Sequence, residues 1–290
     1  CGDIASLGQC YHSMRGNSRM AIKIAGICPL YNVLSAQYPF VEAIITTLPL
    51  VDVLFVNDGG STDGTLQVLQ RMAKRWPKIV ITRIKQEKSG LWESMDHVLM
   101  SLINNECQGY DWIIEVQADE YFHPRLYQAT LDEIKRAHEG GYNSIRQPIL
   151  TIYRWSNQDT YVYRNVRIFR NMPNIVSRWG GDCFFFEGLP EYREGFTAHN
   201  LPPELDSNVL RHHLKDCFSR DRLLQAKGHA EFLATEHPNR RAMYERMKGC
   251  TYLWNVPPKE EIQIHPEVPE IFHGLVGLKD YVVREELFEM

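Results

Sequence analysis

The chain has 290 residues, of which 44% are hydrophobic and 23% are charged, so it can bury a sizeable core as one large domain or two small ones. Its formal net charge of −4 gives no overall attraction to nucleic acid or to an anionic membrane, although a basic cluster from Arg164 to Arg170 leaves a local contact patch open. No apolar run reaches the roughly 18 to 20 residues that span a bilayer.

The cysteines and the first residues bear on location. Seven cysteines are widely spaced and never form C-x-x-C, which argues against a disulfide framework and against a zinc site. We therefore expect a reducing, cytoplasmic location. Residues 1–19 are polar and contain glycine but no signal-peptide apolar region, so they are predicted to be a flexible extension, with the fold starting near Met20.

Apolar runs and helical patterns alternate through the first half of the chain. The strand-like runs are Ala21 to Cys28, Val51 to Val56, Ile79 to Ile84 and Trp112 to Val116. The helical patterns between them are Ala36 to Thr47, Gly64 to Trp76 and Leu91 to Ile103. This alternation predicts a parallel α/β sheet.

The pattern changes after Tyr142. Apolar and polar residues alternate in Ile145 to Trp155 and in Thr160 to Arg170, as they do in half-buried antiparallel strands. Helical patterns return at Arg220 to Thr235 and Arg240 to Tyr252. The proline-containing tail, residues 256–290, is expected to wrap the surface rather than form a domain of its own.

The stretch LFVNDGGSTDGT, residues 54–65, is an apolar strand followed by a turn and a helix start. Ligands of open α/β sheets bind beyond the carboxyl ends of strands, so this turn is a candidate binding edge. It has no Gly-Lys-Ser/Thr and no G-x-G-x-x-G, and its carboxylates would repel a phosphate. Asp58 suits a base or ribose edge as a hydrogen-bond acceptor, or is simply a turn residue, whereas Asp63 is expected to cap the helix.

A second acidic turn follows the fourth predicted strand in WIIEVQADEYFHP, residues 112–124. Asp119 and Glu120 stand at the same sheet edge, and Mg²⁺ or Mn²⁺ takes oxygen ligands from one or two carboxylates together with substrate phosphates. Alternatively, the two acids open a helix that starts at His123 or Pro124, where the helix dipole favours negative charge.

Taken together, these motifs resemble the family-2 glycosyltransferases of the GT-A fold. PLYN (29–32), VNDGGSTDGTLQVL (56–69) and QADE (117–120) have the order and approximate spacing found in that family. The resemblance covers about Met20 to Asp132 well and the rest more loosely. Similar family features are EKSGLWESMDHVL after the third strand, NVRIFRN in the middle, and RHHLKD before a helix that contains Lys227.

The resemblance implies an α/β GT-A fold, with a mostly parallel, twisted, Rossmann-like sheet, flanking helices and a smaller antiparallel and helical C-terminal part. The expected glycosyltransferase domain spans residues 20–255. Its nucleotide-binding half is 20–140 and its acceptor-side half is 141–255, and the tail is 256–290.

The resemblance also implies roles for individual residues. Asp58 would bind the base of a nucleotide-sugar, most often uracil, and Asp119 would match the last carboxylate of the family's D-x-D motif, which holds the metal. Gln117 stands where the first aspartate usually does, and its uncharged amide makes weaker contacts with ribose or metal. The other residues implied at the nucleotide-sugar are Pro29, Tyr31, Asn32, Gly59, Lys88, Ala118 and Lys227. Gly59 departs from the family's common DDGSTD turn, where an aspartate stands.

His212 and His213 are candidates to complete the metal shell, because a neutral imidazole ligates Mn²⁺ acceptably. One of the two must point elsewhere if the segment is extended. The alternative for both histidines is that they are ordinary surface or core residues. For Lys227 the two alternatives are a phosphate ligand and a solvated helix residue.

Two acids in WGGDCFFFEG, Asp182 and Glu187, are candidates for the base that removes the proton of an acceptor hydroxyl. Asp182 lies nearer the position of the family's acceptor-side acid, Glu187 is the alternative, and an ordinary turn aspartate also fits.

The favoured interpretation is an inverting hexosyltransferase that needs Mn²⁺ or Mg²⁺ and moves a sugar from a nucleotide-sugar, chiefly a UDP-sugar, to a hydroxyl acceptor. The acceptor is a glycan, a protein, a small molecule or a modified nucleic-acid base. Two alternatives are a nucleotidyltransferase of similar fold, for which ICPLYNV lacks the usual basic glycine-rich loop, and a degenerate protein that binds nucleotide-sugar without turnover, which Gln117 supports.

Overall fold

The computed structural model describes residues 22–85, 91–153, 160–178, 183–187, 201–215, 264–276, 278 and 281–289. The first half is a parallel sheet in the order β3-β2-β1-β4. Its strands are β1 (Ile24–Leu30), β2 (Val53–Asp58), β3 (Ile79–Thr82) and β4 (Trp112–Glu115), and the helices between them are α1 (Phe40–Thr47), α2 (Thr65–Arg75) and α3 (Leu91–Ser101). The predicted parallel α/β half is confirmed.

The turn after β2 is fixed by the side chain of Asp63. Its Oδ1 accepts hydrogen bonds from the N–H of Thr65 at 3.0 Å and from Thr65 Oγ1 at 2.6 Å. Its Oδ2 accepts a hydrogen bond from the N–H of Ser35 at 2.8 Å. Asp63 therefore fastens the start of α2 to the loop after β1. It is not the helix cap that was expected, because the N-cap residue is Gly64 and no side chain caps the helix there.

The sheet continues with antiparallel and parallel neighbours in the second half of the chain. β7 pairs antiparallel with both β4 and β6, and β11 lies parallel to β6 and antiparallel to β5. The strands are β5 (Glu120–Tyr121), β6 (Ser144–Tyr153), β7 (Thr160–Arg170), β10 (Glu204–Asp206), which pairs with β6, and β11 (Arg211–Lys215). A separate hairpin joins β8 (Ile175–Arg178) to β9 (Cys183–Phe186). The antiparallel pairing expected after Tyr142 is thus present.

Hydrophobic side chains cover both faces of the sheet. The strand β1 shows this, because its successive residues point to opposite faces. Ile24 and Cys28 belong to one buried cluster, whereas Ala25 and Ile27 belong to the other. The first cluster contains residues of α1, α2, α4 (Tyr127–Glu139) and the C-terminal tail, and the second contains residues of α3. A sheet covered on both faces leaves its strand ends as the accessible edge.

The described part of the tail is built into the core. Phe272 lies in the short helix α5 (Glu270–His273), is fully buried, and has its ring centroid 4.8 Å from that of Tyr121. Leu287 of α6 (Glu286–Glu289) is also buried in the first cluster. The tail thus joins the core of the domain, beyond the surface wrapping expected. The helical patterns expected at 220–235 and 240–252 lie outside the described residues.

Within the described ranges, every helix is too short or too polar to span a bilayer.

Candidate active site

Asp58 is the last residue of β2 and its side chain is fully buried. Its Oδ1 accepts a hydrogen bond from the N–H of Ser61 at 3.2 Å, which closes the turn. Its Oδ2 has no hydrogen-bond partner among the described residues, and its nearest cation is the exposed Arg83, whose Nε is 3.7 Å away. A buried carboxylate oxygen without a hydrogen bond is costly, so this atom is ready to accept one from a ligand.

The loop after β1 is bonded to the same turn. The N–H of Asn32 donates to Ser61 Oγ at 2.9 Å, and Asn32 Oδ1 accepts from the N–H of Thr62 at 2.8 Å. The N–H of Gly59 donates to the carbonyl oxygen of Leu30 at 2.8 Å. The segment from Pro29 to Asn32 therefore lies beside Asp58.

Two backbone conformations shape this edge. Asn32 has φ +49° and Gly60 has φ +94°, and such positive φ angles are favoured by asparagine and glycine. A side chain with a Cβ at residue 60 would be strained in the backbone even though the space around it is open. The backbone conformation therefore explains why the second residue of the glycine pair, Gly60, is a glycine.

The residue before Asp58 is a part of the edge that sequence reasoning missed. Asn57 is buried, and its Oδ1 accepts from the N–H of Ile84 at 2.8 Å and from Thr82 Oγ1 at 3.0 Å. Its Nδ2 donates to the carbonyl oxygen of Ile84 at 3.0 Å. Asn57 thus fixes the chain after β3 and brings Arg83 next to Asp58. A polar residue at the end of an apolar strand was the available signal.

Asp119 lies after β4 and faces β11. The N–H of Val116 donates to the carbonyl oxygen of Ile27 at 2.9 Å, which extends the edge of the sheet toward Gln117 and Ala118, both half-buried. The N–H of Leu214 donates to the carbonyl oxygen of Asp119 at 2.8 Å. A helical turn begins at Pro124, as the alternative expected, but Asp119 and Glu120 do not open it: its N-cap is His123, its first turn contains no acid, and Glu120 belongs to β5.

His213 and Asp119 meet at this edge. His213 Nε2 lies 3.3 Å from Asp119 Oδ2, and the two side chains are 12% and 11% exposed. On the other side of the ring, His213 Nδ1 is 3.5 Å from Thr151 Oγ1. The pair therefore combines a carboxylate with an imidazole, and each side chain keeps a small exposed surface.

His212 points away from that pair because neighbouring residues of a strand face opposite sides. It is fully buried, its Nε2 lies 2.9 Å from Glu267 Oε2, and its ring stacks on Tyr121 with centroids 4.8 Å apart. Burial lowers the pKa of His212, whereas the hydrogen bond from His212 lowers the pKa of Glu267 to about 2. A neutral His212 therefore donates its Nε2 proton to an ionised Glu267.

The chemistry of the Asp119 and His213 pair fits a hard or borderline divalent cation, since Mn²⁺ accepts both carboxylate oxygen and imidazole nitrogen. Among the described residues there is no cluster of three or more His, Cys, Asp or Glu side chains arranged to hold a metal ion. Two protein donors with further ligands from phosphate oxygens and water are the usual arrangement for a cation that accompanies a diphosphate.

Four buried charged side chains form a cluster that includes Glu120, the residue after Asp119. Arg167 Nε lies 3.1 Å from Glu115 Oε2 and 3.2 Å from Glu120 Oε1, and Arg211 Nε lies 2.8 Å from Glu120 Oε2. All four side chains are at most 1% exposed. Two arginines and two glutamates balance in charge, which buried ions require. Arg167 therefore contributes nothing to the surface patch suggested for 164–170.

The remaining candidates are not all described. Lys88, Asp182 and Lys227 lie outside the described residues, so their predicted roles stay predictions. Glu187 is exposed in a turn after β9, where its N–H donates to the carbonyl oxygen of Asn174 at 2.7 Å. Its predicted role as a base also stays a prediction.

The fold and this acidic edge agree with the family that the sequence motifs resemble. The family sequence profile described as "Glycosyl transferase family 2" matches residues 27–189, more than half of the chain. The chain belongs to glycosyl transferase family 2. Its mixed α/β fold, with a mostly parallel sheet flanked by helices, is consistent with the GT-A fold that the motifs indicated.

One curated relative is "Glycosyltransferase GlyA" of Streptococcus pneumoniae serotype 4, which is 27% identical over 54% of this chain and 24% of its own length. The chain thus spans about a quarter of that relative. The family match and this similarity support glycosyl transfer as the class of reaction.

Solved structures with partial similarity include S. aureus TarS residues 1–349 in complex with UDP, which is 18% identical over 45% of this chain and 36% of that one, with a TM-score of 0.35. Another is the mannosyltransferase PcManGT from Pyrobaculum calidifontis in complex with GDP-Man and Mn²⁺, 16% identical over 49% of this chain and 41% of that one, with a TM-score of 0.32.

Proposed function

We propose that the chain is a metal-dependent, inverting glycosyltransferase that moves a sugar from a UDP-sugar to a hydroxyl acceptor. The observation that carries the proposal is the buried carboxylate of Asp58 at the end of β2, with Oδ2 free of hydrogen bonds among the described residues. The pair of Asp119 and His213 stands beyond the same ends of the sheet, where ligands of open α/β sheets bind.

Asp58 selects the base. Uracil carries an N–H between its two carbonyl groups, and an ionised carboxylate accepts a hydrogen bond from it but cannot donate one. Cytosine has an unprotonated ring nitrogen in the same place, so two acceptors would face each other. The segment from Pro29 to Asn32, which is bonded to the turn after Asp58, supplies the adjoining wall for the nucleoside.

Asp119 and His213 hold the cation that accompanies the diphosphate, because their side chains converge and remain partly exposed. When bound, a divalent cation supplies positive charge that stabilises the departing diphosphate. The uncharged Gln117 reduces the negative charge of the edge compared with the family's D-x-D motif. The PcManGT complex, which contains GDP-Man and Mn²⁺, and the TarS complex, which contains UDP, accord with donors and a cation of these classes.

Inversion requires a base on the acceptor side. Asp182 or Glu187 takes the proton of the acceptor hydroxyl as the sugar carbon is attacked, so that one displacement converts an α-linked donor into a β-linked product. Loss of the true base is expected to lower kcat by about 10² to 10⁴ and leave donor affinity nearly unchanged. Comparing Asp182→Ala with Glu187→Ala separates the two candidates, and a product that retains the α-linkage would remove both from this role.

The proposal is tested by screening nucleotide-sugars for thermal stabilisation with and without Mn²⁺. A ligand at 100 times its dissociation constant adds about 2.7 kcal/mol of stability, which is readily measured for a domain of this size. A UDP-sugar is expected to stabilise the protein, and more so with Mn²⁺. No stabilisation by any nucleotide-sugar would overturn the proposal. Stabilisation without donor cleavage would instead support the reading, favoured by Gln117, of a protein that binds without turnover.

A further inference from the structure

We infer that Glu267, in the C-terminal tail, is a positioning residue for the metal site: it holds His212, and through His212 it keeps β11 oriented so that His213 faces Asp119. This inference rests on the proposed function, because it assigns Asp119 and His213 to a cation. Neither Glu267 nor β11 lies within residues 27–189, which match the family profile. The completed site is therefore built in part by residues outside the matched region.

The contacts of Glu267 join three parts of the chain. One carboxylate oxygen, Oε2, lies 2.9 Å from His212 Nε2 in β11, and the other bonds to Arg125 in the turn before α4. Its carbonyl oxygen accepts a hydrogen bond from the hydroxyl of Tyr121 at 2.7 Å, and Tyr121 belongs to β5. The side chain is only 15% exposed. A single tail residue thus anchors both strands at the edge of the sheet.

The weakly paired part of that edge is β5. β11 pairs with β6 over all five of its residues, whereas β5, the last strand in the sheet, has only two residues, which pair Tyr121 with His212 and Glu120 with His213. The hydrogen bond and the stacked ring fix the direction of the His212 side chain. Since side chains alternate along a strand, fixing His212 on one face also fixes His213 on the other.

The geometry of the pair suits this role. Oε2 of Glu267 lies 2.9 Å from Nε2 of His212, and the ring of His212 stacks on Tyr121 with the centroids 4.8 Å apart. Residues that orient metal ligands commonly change metal affinity by about 10- to 100-fold when they are removed.

The experiment measures Mn²⁺ bound to the full chain in the presence of saturating UDP, from the electron paramagnetic resonance signal of free Mn²⁺. Glu267→Ala is expected to weaken Mn²⁺ binding by about 10- to 100-fold and to leave UDP affinity in metal-free buffer unchanged. Glu267→Gln keeps an oxygen that accepts from His212, so it should recover part of the loss. Glu285→Gln is the matched control, since Glu285 is another tail glutamate paired with an arginine, Arg71, and is 67% exposed.

The possible outcomes distinguish the inference about Glu267 from the proposed function on which it rests. If Asp119→Asn abolishes Mn²⁺ binding but Glu267→Ala binds Mn²⁺ as the native chain does, the inference is wrong and the metal site stands. If Asp119→Asn also binds normally, the metal site of the proposed function is wrong. Should Glu267→Ala fail to fold, His212→Phe decides, because it keeps a ring that stacks on Tyr121 but cannot donate to Glu267: native affinity for Mn²⁺, or an equal loss of metal-free UDP binding, contradicts a positioning role.

Discussion

Replacing Asp58 by asparagine is the most direct perturbation of donor recognition. Asparagine keeps the shape of the side chain and an oxygen that accepts from the N–H of Ser61, which is 3.2 Å from Oδ1. It turns the second oxygen, Oδ2, into an amide nitrogen that donates and does not accept. The variant therefore removes the hydrogen bond to the base while leaving the turn closed.

The expected loss follows from the burial of Asp58. A hydrogen bond to a charged group is worth about 1.5 to 3 kcal/mol, which corresponds to an about ten- to hundredfold weaker UDP complex. The fold should be little affected, because among the described residues the charge lost is paired with Arg83 alone, which is 62% exposed and 3.7 Å away. Asp132→Asn is a suitable control, since Asp132 is exposed on α4 and bonds only with Gln128 among the described contacts.

Isothermal titration calorimetry with UDP and with CDP provides the measurement. The native chain should prefer UDP, and Asp58→Asn should narrow or reverse that preference because its amide donates to the ring nitrogen of cytosine. Equal UDP affinity in the native chain and the variant would refute the reasoning and leave Asp58 as a turn residue. So would a native chain that binds CDP as tightly as UDP.

Two further predictions concern stability. Burial raises the pKa of Glu42 to about 7. Between about pH 4.5 and pH 7 the folded chain therefore keeps a proton that the unfolded chain has released. The free energy of unfolding falls by up to about 3 kcal/mol as the pH rises through this range. Urea unfolding of Glu42→Gln should lack this fall, and an unchanged pH dependence would contradict it. Because Phe272 is buried in the core, Phe272→Ala should lower the free energy of unfolding by about 3 to 5 kcal/mol. Val282→Ala, at an exposed tail position, should lower it by about 0.5 kcal/mol or less. Equal urea midpoints for the two variants would show that the tail does not belong to the core.

The parallel half of the fold was predictable because its strands are buried on both faces. Such strands read as continuous apolar runs, and turn residues mark their ends. The predicted end of β2 at Val56 was nevertheless too early. The strand continues to Asp58, which pairs with Leu30, because the backbone ladder does not depend on apolar side chains.

The edge of the sheet was not predictable in the same way. The sequence left His212 and His213 open as metal ligands or as surface or core residues, and in the structure Arg211 and His212 are fully buried. Their partners, Glu120 and Glu267, are far away in the sequence, and a local pattern carries no signal for such compensation. β5 has two residues, too few to show any period.

The candidate site was partly predictable, because some of its residues follow apolar runs in the sequence. Asp58 and Asp119 became candidates because each follows an apolar run in the sequence, and alternation along a strand indicated that His212 and His213 point to opposite sides. Which histidine faces Asp119 depends on the side of β11 that packs against the tail residue Glu267. That packing is a property of the whole fold and not of the local sequence.

The measurement that tests the central claim most directly is the formation of UDP from a UDP-sugar by the native chain with Mn²⁺, with excess EDTA, and by Asp119→Ala with Mn²⁺. A metal-dependent glycosyltransferase that uses this edge should release UDP in the first case only, while Asp119→Ala remains folded by circular dichroism. Full activity of the native chain in EDTA, or native activity of Asp119→Ala, would contradict the account.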